Sequence, residues 1–526
     1  MKLKWKTIII PLALLLSCDR NDALPEENLA REEVFHGMIE LGEKLNDPYT
    51  VENIRAALAN VDPTKGDRVE ISATDLYVRF LPKSEEEFER VKATGAYLLD
   101  HPVDYRIVRE GDYYHDPSLS DDKITWQYAV VSKDFVFPEG VRYELLDECY
   151  LSENDAVTRA ELEDVDWDAV EKEAFRLSGN EDLYVPPTKA GKQTPKGRIT
   201  IEDAAWSGGK PFGLAGVRVS CNCFVKFAHC YTDRDGYYEM PKQFSAKPRY
   251  RLVFDNTEGF SIGFNLILVP GSVSTMGTGE PGGIDYHITP DSDETIWTRS
   301  VVNNAAYDYI SRCNESDLNI LAPPKNLRIW IFKKLDCSSC VMMRQGAMVE
   351  NELISQYLGE YALLIKLFLP DITIGTKGRE GYAGIYSATV HELSHSSHYA
   401  QVGNGYWNPY IRYIISAYLK EGREAYGTGT LKDAGYCEVG EMWGYFMESV
   451  LYKDRYGGAV PAFGTSFWFY PQIFRYLYDR GMTCSEIYKA LKSNVTGRDD
   501  LLSELIHLYP ERESMIRQVF DRYSRQ

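Results

Sequence analysis

The sequence predicts a multidomain protein of mixed α+β class, with strands concentrated in its first half and helices in its last part. The chain has 526 residues, which is more than one typical hydrophobic core accommodates. Short alternating runs separated by turn residues occur between about residues 75 and 255, a pattern typical of strands. After about residue 290 the apolar residues recur at helical spacing. Hydrophobic residues make up 44% of the chain, which is enough for several packed cores.

The first 18 residues have the features of a processing segment. Lys2, Lys4 and Lys6 precede the short apolar run 7–16, which is too brief to be an ordinary membrane-spanning helix. The run ends in Leu-Leu-Ser-Cys at residues 15–18, which resembles a bacterial lipobox. This resemblance implies export, cleavage before Cys18, lipidation of its thiol, and an outer-membrane or cell-surface lipoprotein of the Bacteroidota type. An ordinary signal peptide followed by an incidental cysteine is the alternative.

The charge of the chain restricts the classes of partner. A formal net charge of -20 argues against nucleic acid or an anionic membrane surface as the main partner. No run after Cys18 is long and apolar enough to cross a membrane, so the lipid anchor is the one membrane contact that the sequence predicts.

Residues 26–184 are expected to form an N-terminal α+β module that ends with an acidic helical segment. Its predicted elements are a helix over 26–57, strands at 75–81, 126–131 and 143–146, a charged helix at 85–92, and helical structure within 153–181. Ahead of an enzyme such a module could be inhibitory or substrate-binding, and a simple spacer is equally compatible with the pattern.

Residues 185–197 are rich in proline, glycine and polar side chains and are interpreted as a linker. The strand-like runs 198–203, 217–221 and 250–254 follow. Leu214 to Val219, followed by Thr232 to Tyr238, resembles a carboxypeptidase-regulatory-like, transthyretin-like β-sandwich, which is expected to cover 198–270. Its Asp-x-Asp-Gly at residues 233–236 is expected to form a hairpin turn, because the further ligands of a calcium loop are absent.

Nine cysteines follow Cys18, an odd number for an exported chain. Cys221, Cys223 and Cys230 lie close together, and Cys337 and Cys340 form a lone CxxC. Because no second CxxC lies at zinc-finger spacing, disulfides or buried thiols are favoured over metal ligands.

The region 290–526 is expected to form a mainly helical C-terminal domain. Asn408 and Pro409 are interpreted as the cap and first turn of one of its helices. Thr483 and Glu486 are interpreted as a capping box. The predicted elements are helices at 294–310, 342–367, 382–399, 411–420, 438–456, 467–479, 501–509 and 515–523, and strands at 326–332 and 371–375.

The pentapeptide HELSH at residues 391–395 is an HExxH sequence within one of these helices. Positions four apart lie one helical turn apart on the same face, so His391 and His395 can offer two imidazole nitrogens to one metal ion. Glu392 lies beside them, where a carboxylate can take a proton from water. This is the arrangement found in zinc metalloproteases.

A catalytic zinc site normally has a third protein ligand. The metzincin pattern would place a histidine ten residues after His391, where Gln401 stands, so that pattern is excluded. His398 lies on nearly the same helix face but too close along one straight helix to share the ion comfortably. A cleft-lining role is preferred for His398, and ligation is the alternative.

Glu441-Met442-Trp443-Gly444 resembles the third-ligand helix of the gluzincins, in which a small residue allows close packing on the HExxH helix. The resemblance implies a zincin-like catalytic domain with Zn²⁺ held by His391, His395 and Glu441. Glu438, one turn earlier, is the competing ligand, and Glu448 is expected to orient a ligand histidine. The residue that steadies the oxyanion stays open among Tyr436, Tyr426, Tyr410 and His398.

The resemblance implies an exported, lipid-anchored zinc metallopeptidase that hydrolyses protein or peptide substrates, glycoproteins included, with Glu392 as general base. Two alternatives remain. The first is a non-catalytic surface lipoprotein in which a structural zinc site persists and the front domains bind glycan or protein. The second is a zinc amidase that acts on peptidoglycan or mucin.

Overall fold

The computed structural model describes residues 38–523 apart from 67, 69, 112, 120–123, 156–164, 187–191, 264–272, 292, 314, 316–317, 334–337, 348–369, 380, 422–425 and 459–466. The predicted signal segment with Cys18, the first part of the helix expected at 26–57, and Cys337 lie outside the described residues. The architecture is multidomain and mixed α+β, as the sequence predicts.

The N-terminal part contains two small antiparallel sheets and several helices. β2 is the central strand of the three-stranded sheet β4-β2-β5, and β1 pairs with β3 in a separate ladder. The elements are β1 Glu40–Lys44, α1 Val51–Val61, α2 Pro63–Gly66, β2 Asp75–Phe80, α3 Glu85–Lys92, β3 Tyr105–Arg109, β4 Gln127–Ser132, β5 Tyr143–Cys149 and α4 Trp167–Leu177.

The strands and the helix at 85–92 are confirmed, but the expected helix over 26–57 is wrong where the structure describes it. Residues 40–44 are extended because they pair with β3, with Glu40 opposite Arg109 and Leu41 opposite Ile107. The helix begins only at Val51, where the Thr50 side chain accepts a hydrogen bond from Asn53 N.

The middle of the chain is almost entirely strand. Its elements are β6 Lys196–Ile201, α5 Ala204–Ser207, β7 Phe212–Gly213, β8 Val217–Cys223, β9 Lys226–Tyr231, β10 Tyr237–Glu239, β11 Arg249–Asn256, β12 Phe260–Ile262, β13 Val273–Thr278 and β14 Tyr286–Ile288. The Asp-x-Asp-Gly segment is a turn, as expected, since Asp233 Oδ1 accepts from the backbone of Asp235 and Tyr237. The described ends of the segment interpreted as a linker, 185–197, are hydrogen-bonded to the backbone of residues 244–245.

The C-terminal part is mainly helical. Its elements are α6 Glu294–Cys313, β15 Leu327–Phe332, β16 Ser339–Cys340, β17 Ile372–Gly375, α7 Gly381–Val402, α8 Asn404–Lys420, α9 Ala434–Tyr456, α10 Gln472–Asp479, α11 Cys484–Lys489, α12 Arg498–Leu508 and α13 Glu513–Asp521.

Three expected boundaries here are wrong. The described residues 342–347 are a turn rather than helix, because the backbone nitrogens of Val341 and Met342 both donate to Asp371 O beside β17. α8 begins at Asn404, so Pro409 lies inside the helix, and Gly403 with φ +68° turns the chain between α7 and α8. α10 begins at Gln472 rather than at residue 467. The capping box of Thr483 and Glu486 is confirmed.

The largest sheet joins strands from both sides of residue 290. Its order is β16-β17-β15-β12-β11-β8-β9, and β13 also pairs with β11. β12, β15 and β17 run parallel, whereas β16 runs antiparallel at the edge. α7 follows β17 after a short connection and packs beside it. The strand-rich middle of the chain also forms a separate sheet with the order β10-β6-β14, in which β7 pairs with β6.

All eight cysteines in the described residues are free thiols, and seven of them are buried. The buried-thiol alternative of the sequence prediction is therefore the one observed for these residues. In the described part of the chain, no helix combines the length and the apolar character needed to cross a membrane.

Candidate metal centre

The candidate centre lies where α7 crosses α9. Both helices are buried on nearly all sides, so α7 does not present its histidines to an open surface. α6 packs on α7, and Tyr309 OH lies 2.9 Å from Ser397 Oγ. From α9, Trp443 Nε1 donates to Ser394 O at 3.1 Å. These contacts fix the rotation of α7 about its axis and therefore the direction in which its histidines point.

His391, His395 and Glu441 converge at this crossing. The two Nε2 atoms are 3.1 Å apart, and Glu441 Oε2 is 3.5 Å from each of them. In a tetrahedral zinc site with ligand bonds of about 2.0–2.1 Å, neighbouring ligand atoms are about 3.3–3.4 Å apart. The observed spacing therefore fits one small tetrahedral metal ion, and these residues are the group in the described chain that could hold one.

Glu448 is the partner of the first histidine. His391 Nδ1 lies 3.1 Å from Glu448 Oε2, so the imidazole can donate there while Nε2 faces the other ligands. Glu448 Oε1 in turn accepts a hydrogen bond from the Ser387 hydroxyl. A carboxylate in this position orients a ligand histidine and raises its basicity. The predicted place of Glu448 is therefore observed, and Ser387 is an addition that the sequence did not single out.

Tyr410 holds the third candidate ligand. Its hydroxyl donates to Glu441 Oε1 at 2.5 Å, while Glu441 Oε2 faces the two imidazoles. Glu441 Oε1 therefore binds Tyr410, and Oε2 is the oxygen that faces the candidate metal position. Tyr410 was one of four open candidates for an oxyanion role, and its observed contact is instead with a ligand.

Gly444 allows the two helices to approach. A Cβ atom at this position would lie 2.9 Å from His391 Nε2 and 2.9 Å from His395 Nε2. Such contacts are shorter than van der Waals distance, so α9 can carry no side chain here without displacing the imidazoles. The small residue expected from the Glu-x-Trp-Gly pattern is thus in contact with both histidines.

Burial and the carboxylates control the protonation of the site. Burial alone would lower the pKa of His391, but Glu441 and Glu448 raise it well above its ordinary value. Burial lowers the pKa of His395, and Glu441 offsets this only in part. Burial opposes ionisation of Glu441, but His395 and His391 hold its pKa far below its usual range. The site therefore favours an ionised carboxylate between two nitrogen ligands.

Glu392 follows the first ligand on α7 and is 1% exposed. Its negative charge contributes to the raised pKa of His391 and, after burial, to the raised pKa of the Cys340 thiol at the edge of the sheet. Glu392 is therefore buried next to His391, where it is shielded from bulk water.

The structure separates the remaining candidates. His398 is buried and packs against the rings of Tyr406 and Trp407, and neither ring nitrogen has a hydrogen-bond partner within the described ranges. It does not belong to the group that could hold a metal. Glu438 Oε2 accepts from the backbone nitrogen of Arg498 at the start of α12, so Glu441 and not Glu438 joins the histidines.

The tyrosines near the site differ in which histidine they lie beside. Tyr436 packs on Tyr406, with ring centroids 4.8 Å apart, and so lies behind the ring that covers His398. Tyr445 packs edge-on against His391 at 4.5 Å, and its hydroxyl is 3.0 Å from that of Tyr426. Tyr445 was not predicted from the sequence. Its position four residues after Glu441 could have indicated it, because residues four apart share a helix face.

Comparison with known proteins adds no relative: no family model matches the sequence, and no curated protein matches it.

Proposed function

We propose that this protein is a zinc-dependent peptidase of the gluzincin type. The observation that carries the proposal is the convergence of His391, His395 and Glu441 at tetrahedral spacing, with Glu392 next to the first histidine in sequence. Two imidazoles and one carboxylate are a donor set typical of catalytic zinc, and three protein ligands leave a fourth position for water or substrate.

Zinc bound by these residues would supply Lewis acidity, which lowers the pKa of water and polarises a carbonyl group. The chain's own groups do the rest. Glu392 takes the proton from the attacking water and delivers it to the leaving amine. Glu448 fixes the tautomer of His391 by accepting from Nδ1, and Tyr410 holds the outer oxygen of Glu441.

In this proposal the remainder of the chain delivers and positions the catalytic domain. Cys18 carries a lipid anchor at the cell surface, 26–184 form the N-terminal module, and 198–270 form the transthyretin-like β-sandwich. The zincin-like domain covers 290–526. The substrates are proteins or peptides, glycoproteins included.

One observation favours the non-catalytic alternative, in which zinc is purely structural. His395 and Glu441 have no solvent exposure, and His391 is only 4% exposed. Structural zinc sites are closed, whereas catalytic sites keep one position open. A test must therefore separate metal binding from turnover.

The decisive experiment compares wild type with Glu392→Gln. We expect one zinc per chain in both proteins, because Glu392 is not one of the three ligands. We expect Glu392→Gln to cleave a broad peptide library about 10²- to 10⁴-fold more slowly, because the general base is lost. Zinc content is measured by elemental analysis and cleavage by mass spectrometry.

His395→Ala is the companion variant and should lose both zinc and cleavage. Equal cleavage by wild type and Glu392→Gln would refute the mechanism. Zinc at one per chain with no cleavage of peptides, glycoproteins or cell-wall fragments would favour the structural site, and cleavage of cell-wall or mucin fragments alone would favour the amidase.

A further inference from the structure

A row of polar side chains crosses the largest sheet far from the metal centre. In the antiparallel register Thr275 on β13 lies opposite Arg251 on β11, Arg251 opposite Ser220 on β8, and Ser220 opposite His229 on β9. Residues directly opposite each other in antiparallel strands point to the same face. The four side chains therefore share one face of the sheet.

Arg251 is the charged centre of this row. Its side chain is buried, with the residue only 5% exposed, and Nη1 donates to Asn222 Oδ1 at 2.5 Å. Within the described residues this is its only hydrogen bond, and no carboxylate there lies within ion-pair distance of it. A guanidinium carries five N–H donors, and burying one without an anionic partner is unfavourable. Nε and Nη2 of Arg251 have no protein partner among the described residues and can donate to a bound group.

Neighbouring groups on the same face are also donors. Ser220 Oγ is buried and has no hydrogen-bond partner among the described residues. Arg249, two residues before Arg251 on β11, pairs with Glu110 through Nη2, but its buried Nε has no partner in the part of the chain that the structure describes. The Asn222 amide nitrogen donates to Phe224 O, which fixes the Asn222 oxygen on Arg251. Ser220 Oγ and Arg249 Nε are thus two buried polar atoms near Arg251 that can donate to a bound group.

The N-terminal part of the chain covers one side of the row. The Tyr97 ring stacks on His229 with centroids 5.1 Å apart and planes inclined by 24°. Asp100 contributes a negative charge near Arg251, but its carboxylate oxygens are engaged by His101 Nδ1 and Tyr114 N. His229 itself is exposed, so the row is reachable from solvent at that end.

We propose that this polar group, formed by Ser220, Asn222, His229, Arg249 and Arg251, binds a small oxyanion. A carboxylate or a tetrahedral inorganic anion presents several acceptor oxygens to the guanidinium fork of Arg251, to Ser220 Oγ and to Arg249 Nε. Arginine suits such groups because its planar donors match two oxygens at once. None of these residues belongs to the candidate metal group, and the proposal does not depend on the function proposed for that group.

The test titrates sodium phosphate, sulfate and acetate into the full-length protein by isothermal calorimetry at constant ionic strength in chloride. We expect saturable binding of at least one anion. Arg251→Met should weaken it at least about tenfold, because the charged fork is lost. Ser220→Ala should weaken it about fivefold through loss of one hydrogen bond. A preference for acetate would indicate a carboxylate ligand, and a preference for phosphate or sulfate a tetrahedral one.

Arg198→Met is the matched control, because Arg198 lies on β6 in the other sheet and stacks on Tyr237. It should bind the anion as wild type does. If Arg251→Met fails to fold, Ser220→Ala decides the question, because the change removes only one oxygen atom. The proposal is wrong if none of the three anions binds saturably, or if Ser220→Ala binds as tightly as wild type.

Discussion

Among single residues, Tyr410 has the clearest effect on the candidate ligands. Glu441 could turn both oxygens toward a metal, but the 2.5 Å hydrogen bond from Tyr410 OH holds Oε1 away from the histidines. Only Oε2 is left to face the two Nε2 atoms. Outer partners of this kind set the orientation of a ligand before the metal binds.

We therefore expect Tyr410→Phe to lower zinc affinity by about 10- to 100-fold without loss of folding, because it removes the hydrogen bond to a ligand and little else. Competition with a chromophoric chelator measures this affinity. Tyr413→Phe, on the same helix, is the control, because Tyr413 OH donates to the backbone oxygen of Tyr426 and not to a ligand. Equal zinc affinity in wild type and Tyr410→Phe would contradict this role for Tyr410.

The convergence of the three candidate ligands was predictable from sequence, whereas the residues that hold them in place were not. His391, His395 and Glu441 follow from an HExxH spacing and a Glu-x-Trp-Gly sequence, both of which are local patterns. Tyr410 and Ser387 reach the site through helix packing, and many tyrosines in this chain could have done so. Nothing local in the sequence distinguishes the one whose hydroxyl meets Glu441.

At the level of elements, the site depends on the close crossing of α7 and α9. Gly444 lies at the contact, and any Cβ there would press on the imidazoles of His391 and His395. Gly405, in α8, provides a comparison, since a Cβ there would meet nothing within 4 Å. Both positions are helical, so alanine should favour the helix by a similar amount at each.

We expect Gly444→Ala to weaken zinc binding by about 10- to 100-fold, because an overpacked contact displaces the ligand nitrogens. Gly405→Ala should leave zinc affinity unchanged. Helix content by circular dichroism should be the same in both variants, which separates a local displacement from unfolding. Wild-type zinc affinity in Gly444→Ala would show that the helices can separate at no cost.

The positions of helices and strands followed from sequence where one pattern dominated. α3, α6, α7 and α9 were placed within a few residues, and the capping box at Thr483 was predicted in full. The errors lie where tertiary pairing overrides local preference. Residues 40–44 pair with β3, and residues 341–342 bond to Asp371 O, which no local pattern reveals.

For the whole molecule, the important contacts join regions distant in sequence. Asp203 at the start of α5 is buried and accepts from Arg455 and from Tyr456 OH at the end of α9. The Arg455 guanidinium also lies 4.0 Å from the ring centroid of Trp206 and 4.9 Å from that of Tyr382 on α7. One arginine thus ties the strand-rich middle of the chain to both helices of the metal centre.

A second long-range contact brings the N-terminal part against β8 and β9. Tyr49 OH donates to the buried Glu171 carboxylate, and Lys192 and Lys226 outweigh burial to hold the pKa of Glu171 at about 2. Beside them Asp47 is buried, with Oδ1 accepting from Tyr49 N. Burial raises the pKa of Asp47 to about 8, and the nearby Asp104 adds to the shift.

The raised pKa of Asp47 should appear in the stability of the whole protein. Between the ordinary pKa of 3.8 and about 8 the folded chain holds a proton that the unfolded chain releases. The stability from this proton is therefore fully present below about pH 4 and is lost as the pH rises through 8, by up to about 1.4 kcal/mol per pH unit.

Asp47→Asn keeps an oxygen for Tyr49 N but cannot ionise. We expect it to unfold at a higher temperature than wild type at pH 8 and to differ little at pH 4, by calorimetry with chelator present. The exposed Asp134→Asn serves as control, and parallel curves for wild type and Asp47→Asn would show that Asp47 does not titrate in this range.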